Sequence, residues 1–222
     1  MSEISTGECA LCKGTFSKAS MTRHIQACRI ERAEAPPLDP PRLPARKAFH
    51  LVVEGDYSKD YWMHLEAPAH ATLSDLDRFL RDIWLECCGH LSAFTIQGTT
   101  YVAGGSEAAV LDAESTDVSL ARVLKKGTKF HYEYDFGSTT RLVLKVVSNV
   151  ELKPGPKSIR LLARNAPPAI LCNSCGKPAT HVCCECSGGW LCGDCAHGHE
   201  CGEDMLLPVV NSPRVGVCGY SG

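Results

Sequence analysis

Three Cys-x-x-Cys knuckles crowd the last quarter of the chain: Cys172-Asn-Ser-Cys175, Cys183-Cys184-Glu-Cys186 and Cys192-Gly-Asp-Cys195. His197, His199, Cys201 and, further on, Cys218 follow them. A tight turn holds two thiolates at the separation that tetrahedral zinc requires, so this density of pairs predicts a two-zinc module. Enough Cys and His are present to fill every coordination position with protein. The chemistry predicted is therefore structural metal binding, not activation of a metal-bound water. Thiolates also set the electrostatics, since a four-Cys zinc site carries a net charge of about −2 and a three-Cys, one-His site about −1.

A second set opens the chain. Cys9-Ala-Leu-Cys12, eleven intervening residues, then His24-x3-Cys28 place two donor pairs around a short segment with Phe16 and Met21 at apolar positions. This resembles the C2H2 zinc-finger family in its Cys-Cys-His-Cys form, with one residue fewer between the knuckle and the His than is usual. The resemblance implies a small ββα unit whose base-reading positions fall near Ser17, Ser20 and Arg23, with Lys18 and Arg29 beside them. Of these, Arg23 is the one suited to a bidentate contact with guanine. Lys18, Arg23 and Arg29 are the candidate nucleic-acid contacts. One finger reads about three base pairs, which does not specify a DNA site alone.

The C-terminal layout is similar to B-box and other cross-braced zinc modules. That resemblance implies alternate pairing, with Cys172, Cys175, Cys192 and Cys195 in one site. Cys183, Cys186 and His199 then form the other, with either Cys201 or Cys218 as fourth ligand. Cys184 and His181 are spare. Three zinc ions are expected in all.

Cys87, Cys88, His90 and His131 raise a Cys-dependent enzyme as a further reading. A nucleophilic thiol needs a lowered pKa and a base within reach, and spacing supplies neither. Cys87 and Cys88 close an apolar helix face and read as buried structural cysteines; His90 reads as a structural or surface His. Asp135-Phe-Gly lacks the glycine-rich loop, strand lysine and catalytic loop of a kinase. No catalytic residue and no small-molecule substrate are inferred.

These groups need a scaffold, and 222 residues allow one core domain with small metal-bearing appendages. The first residues show no basic end followed by an apolar stretch, and no apolar run approaches the ~18 residues needed to cross a bilayer. Fourteen cysteines without a secretory leader predict reduced thiols and a cytoplasmic protein. The net charge of −2 is unevenly spread. Residues 1–47 hold eight Lys or Arg against five Asp or Glu, and residues 172–222 hold two against five. If nucleic acid is a partner, the front of the chain is where to look.

Residues 29–47, with Pro36, Pro37, Pro40, Pro41 and Pro44, read as a semi-rigid linker. Strand character appears at 48–54 and 61–66. Thr72 with Asp75 then caps a helix whose Leu73, Leu76, Phe79, Leu80, Ile83 and Trp84 share a face, ending at Gly89. Strands at 92–97 and 99–103, a Gly/Ala/Ser/Glu stretch, a short helix at Ser119–Leu124 and strands at 128–135 and 140–150 complete the core. The order ββαββ(α)ββ predicts an α+β domain over 48–152, a mainly antiparallel sheet packed on one main helix. Residues 153–171 read as a second linker before the module of 172–222.

The helix from Thr72, then Gly89-His90-x3-Phe94 and Tyr101, then Leu120-Ala-Arg-Val-Leu, then Tyr132-x-Tyr134-Asp135-Phe136-Gly137, resemble the family named for the third open reading frame of a root-inducing plasmid. The resemblance covers roughly residues 48–152, and the finger and C-terminal module match its zinc-fused subgroup. It implies association with mobile DNA and no mechanism. The reading that follows is a non-enzymatic zinc protein in a nucleic-acid-associated or mobile-element accessory role, or a protein-interaction adaptor using the acidic C-terminal module.

Overall fold

The computed structural model describes residues 4–34, 45–103, 112–152, 157–186 and 189–222. The five prolines of the expected linker and the stretch 104–111 lie outside them. Strands β1 (Thr6–Cys9) and β2 (Thr15–Ser17) form a hairpin that runs into helix α1 (Lys18–Glu34). The core then follows the expected order with one short strand added: β3 (Arg46–Gly55), β4 (Trp62–Pro68), α2 (Leu73–Leu80), β5 (Ser92–Ile96), β6 (Thr99–Val102), the added β7 (Glu114–Ser115), α3 (Leu120–Val123), β8 (Lys129–Tyr134) and β9 (Thr140–Leu152). Apart from the parallel pair β6 and β7, the sheet is antiparallel.

Thr72 and Asp75 exchange the two hydrogen bonds of a capping box, at 3.1 and 2.9 Å, which fixes where α2 begins. Its buried face, Leu73, Leu76 and Leu80, continues into Trp84 and Leu85 and packs on Leu51, Met63, Leu65, Phe94, Phe130, Tyr132, Leu142 and Leu144. The end of this helix differs from expectation. It widens into a π turn over Arg81–Leu85 and stops there, not at Gly89. Glu86 explains the stop: its carboxylate accepts from Arg81 Nε and from the Gly89 N–H, both at 2.6 Å, and from the Tyr134 hydroxyl at 3.1 Å. The chain is pulled out of helical geometry, and Gly89, at φ 78°, turns it instead.

A larger difference lies at the other sheet edge. Within the segment expected to be a second linker, Arg160–Asn165 forms β10, and the sheet order is β2-β1-β10-β4-β3-β9-β8-β5-β6-β7. The N-terminal unit is therefore part of the main sheet and not a module set apart on an arm. β4 is consequently buried along its whole length. Met63, Leu65 and Ala67 face α2, while Trp62 packs with Met21, Ile25, Leu162 and Ala163 under the N-terminal unit. Gly7 permits this approach, because a Cβ there would lie 2.6 Å from the Trp62 ring and would collide with the Arg164 carbonyl. Trp62 Nε1 also donates to Ser5 Oγ at 2.8 Å.

The C-terminal part has its own three-stranded sheet, ordered β12-β11-β13, from β11 (His181–Cys183), β12 (Gly189–Leu191) and β13 (Leu206–Pro208), with the one-turn α4 (Gly193–Ala196). Half of its small core is cysteine: Cys172, Leu191, Cys192 and Ala196. So little apolar surface cannot hold a domain by itself.

Trp62 is the fully buried hinge between sheet and N-terminal unit. Trp62→Ala is expected to cost about 3–5 kcal/mol in urea unfolding, with the loss visible in amide protection of β1 and β2; unchanged protection there would show that the unit docks without it.

Candidate metal centres

Among the described residues, four groups of four side chains each place one ligand atom per residue, with all four atoms of a group within 4.8 Å of one another. In the first, the Cys9–Cys12 knuckle is shaped by the Lys13 N–H donating to the Cys9 carbonyl at 2.8 Å, with Lys13 itself at φ 65°. Helix α1 supplies His24 and Cys28, four residues apart on one face. Cys12 Sγ lies 3.3 Å from His24 Nε2, and Phe16 stacks on the His24 ring at 3.5 Å. Met21 is fully buried beneath.

The second group joins Cys172 and Cys175 to Cys192 and Cys195, with Cys175 and Cys192 sulfurs 3.5 Å apart. The third joins Cys183, Cys186, His199 and Cys201, with Cys186 Sγ 3.2 Å from His199 Nε2. This is alternate pairing, and it seats Cys201, not Cys218, beside His199. Gly189 is required here, since a Cβ would meet Cys186 Sγ at 2.8 Å. His197 lies outside the group, facing Glu203 at 3.3 Å, and Cys184 Sγ donates instead to the Met205 carbonyl at 3.1 Å.

The thiols in these groups do not titrate alike. The backbone N–H of Cys192, with others of the knuckle, holds Cys172 down to about 6, and the N–H of Cys186 does the same for Cys183. Their neighbours move the other way. Cys195, crowded first by Cys175 and then by Cys192, is pushed up to about 12, and Cys186 is pushed up to about 12 by Cys183. Like charges so close cannot all form unaided; a divalent cation reverses the balance and lets every thiol ionise. The donor sets, four thiolates in one group and three thiolates with one imidazole in the others, are those of closed tetrahedral sites. They fit zinc and leave no coordination position for a substrate.

The fourth group was not anticipated. Cys87, Cys88 and His90, at the end of the π turn, meet Cys218 from the C-terminal tail. The expectation of Cys87 and Cys88 as buried structural cysteines is corrected: Cys88 is exposed and Cys87 half-buried. Cys218 belongs with this group, so it is no alternative to Cys201. The structure thus presents four groups where knuckle spacing predicts three ions.

The nucleic-acid candidates are dispersed in role. Lys18 pairs with Glu54 at 2.9 Å and donates to the Lys59 carbonyl at 2.5 Å. Arg29 is mostly buried and pairs with the fully buried Glu66 at 2.7 Å, which Arg160 also reaches at 2.5 Å. Ser17 and Ser20 hydroxyls bond each other at 2.9 Å. Arg23 alone of the three cations is exposed.

The family model described as Plasmid pRiA4b ORF-3-like protein matches residues 48–176, more than half of the chain. The chain belongs to this family. The match takes in the core sheet from β3 onward, α2, the Cys87–His90 turn and the first C-terminal knuckle, whereas the N-terminal unit and the remaining knuckles lie outside it. A crystal structure of a protein of unknown function from Methanosarcina mazei Go1 is similar at 19% identity and a TM-score of 0.47, over 54% of this chain and 69% of that one. No curated protein matches. No helix among the described residues is long and apolar enough to cross a membrane.

If the first three groups hold one ion each, Cys9→Ser, Cys175→Ser and Cys201→Ser will each lower the metal content of the purified chain by one equivalent, as read by plasma mass spectrometry. Loss of two ions from Cys201→Ser would mean that the C-terminal groups are not separate sites.

Proposed function

We propose that this protein is a non-enzymatic, zinc-stapled adaptor whose C-terminal module takes a basic segment of a partner protein. The charge that the module displays carries this reading. Glu185, Asp194, Glu200, Glu203 and Asp204 are all exposed. Its two cations are engaged, Lys177 with Asp194 at 2.8 Å and Arg214, fully buried, with Asp135 at 2.7 Å. Zinc in the module's four-Cys group and in its three-Cys, one-His group leaves further net negative charge of about −2 and −1. Met205, 37% exposed beside Glu203 and Asp204, adds an apolar contact. Such a face attracts Lys/Arg-rich chain and repels phosphate.

Magnitudes weigh against nucleic acid as the direct partner. With Lys18 and Arg29 committed to Glu54 and Glu66, Arg23 remains as the exposed candidate. One bidentate arginine contact discriminates by about 1–3 kcal/mol, whereas specific sites exceed non-specific ones by about 4–10 kcal/mol. A mobile-element role, suggested by the family's plasmid description, then runs through a bound protein.

The test is fluorescence anisotropy with a Lys/Arg-rich peptide and with duplex and single-stranded oligonucleotides, at about 50 to 200 mM salt. The peptide is expected to bind saturably, more weakly as salt rises, and several-fold more weakly to a Glu203→Gln/Asp204→Asn variant. Saturable oligonucleotide binding that Arg23→Ala abolishes would overturn the reading.

A further inference from the structure

The tail beyond β13 does not hang from the C-terminal module; it returns to the main domain. Asn211 Nδ2 donates to the Asn165 carbonyl at 2.9 Å, and Asn165 Nδ2 donates to the Asn211 side-chain oxygen at 2.7 Å. Ser212 Oγ donates to the Trp84 carbonyl at 2.6 Å. Arg214 is sealed under the surface. Its guanidinium donates to Asp135 Oδ2 at 2.7 Å, Thr140 Oγ1 at 3.0 Å, the Ser138 carbonyl at 3.1 Å and Cys87 Sγ at 3.4 Å, and it lies over the Tyr134 ring. Four residues on, Cys218 takes φ 51°, a left-handed conformation unusual for a residue with a side chain. Its sulfur sits 3.9 Å from Cys88 Sγ and 3.2 Å from His90 Nε2.

Two further edges of this group are Cys87 Sγ to Cys88 Sγ at 3.6 Å and Cys88 Sγ to His90 Nε2 at 2.9 Å, and the last two, from Cys87 to His90 and to Cys218, lie within 4.8 Å. A tetrahedral zinc with ordinary bond lengths needs edges of about 3.8 Å between sulfurs and about 3.6 Å between sulfur and nitrogen. The Cys87–Cys88 and Cys88–Cys218 edges bracket the first value, and side-chain movement of about 0.4 to 0.7 Å brings the two nitrogen edges to the second. The sulfur separations are far too long for a disulfide, whose bond is about 2.05 Å. A lone catalytic Cys–His pair does not explain why two more sulfurs converge on the same point, one from 130 residues away. Three thiolates and a divalent ion leave a net charge of about −1, which the buried Arg214 guanidinium meets through Cys87.

We propose that Cys87, Cys88, His90 and Cys218 form a fourth metal site, for zinc or another thiophilic divalent ion, that locks the C-terminal tail onto the main domain. Unlike the other three, this site is not contained in one small module. It ties the end of the chain to the loop that follows α2, and so sets how the acidic module is held against the sheet.

The experiment uses the full chain loaded with zinc. Plasma mass spectrometry is expected to read four ions per chain, one for each group. Cys218→Ser and His90→Gln are each expected to hold three, as is Cys201→Ser, which disables a different site. Trypsin separates the two kinds of loss. Cleavage after Arg214, blocked while the tail is packed, is expected in Cys218→Ser and His90→Gln but not in wild type or Cys201→Ser. Three ions in wild type, or an unchanged count in both tail-site variants, would overturn the site. So would a native chain lighter by two hydrogens under non-reducing conditions whose digest holds Cys88 and Cys218 in one disulfide-linked peptide. Continued resistance at Arg214 in variants that have lost the ion would overturn the locking role.

Discussion

Thiols packed into one tetrahedral volume cannot all ionise without a cation among them, and each peripheral part of this fold is arranged around such a volume. Where a backbone N–H favours one thiolate, its neighbour is driven the opposite way, as Cys183 and Cys186 show. The C-terminal part has too small an apolar core to stand without that cation, because Cys172 and Cys192 occupy positions that a larger domain would give to leucine or valine. The main domain has no such dependence. Its helix lies across a continuous apolar sheet face with Leu51, Phe94, Tyr132 and Leu144 wholly buried.

The N-terminal unit shows both kinds of support together. Its ligand group is completed by α1, yet β1 is zipped onto β10 and Trp62 fills the space beneath. The arrangement buries a charge, Glu66, which needs Arg29 and Arg160 to neutralise it. A cation that a free finger would offer to phosphate is thereby held inside the fold. Integration into the sheet thus explains why a finger-like sequence need not act as a reader of nucleic acid.

Much of this was legible from the chain. The Thr72–Asp75 box, the apolar spacing along α2 and the alternation in β9 reflect local rules, and local rules leave local patterns. The Cys-x-x-Cys knuckles do likewise, so three ligand groups could be read from spacing. β10 could not. Its register shifts between Leu161 and Ala163, which breaks the alternation that marks a strand, and its partners β1 and β4 are distant in sequence. The fourth group was hidden for a related reason. Adjacent Cys87 and Cys88 make no knuckle, and Cys218 is brought to them by the burial of Arg214 on Asp135, a pairing no spacing encodes. One signal was available: of fourteen cysteines, Cys87, Cys88 and Cys218 are left once three groups are filled and Cys184 is set aside.

If metal holds the periphery while apolar packing holds the sheet, removing the metal will separate the two. Hydrogen exchange of the full chain, followed by mass spectrometry before and after chelation, reads this separation. Chelation is expected to strip protection from β11, β12, β13 and the tail through Cys218, while β3, β4, β8 and β9 keep theirs. Protection that is unchanged everywhere, or lost equally from the central strands, would contradict it.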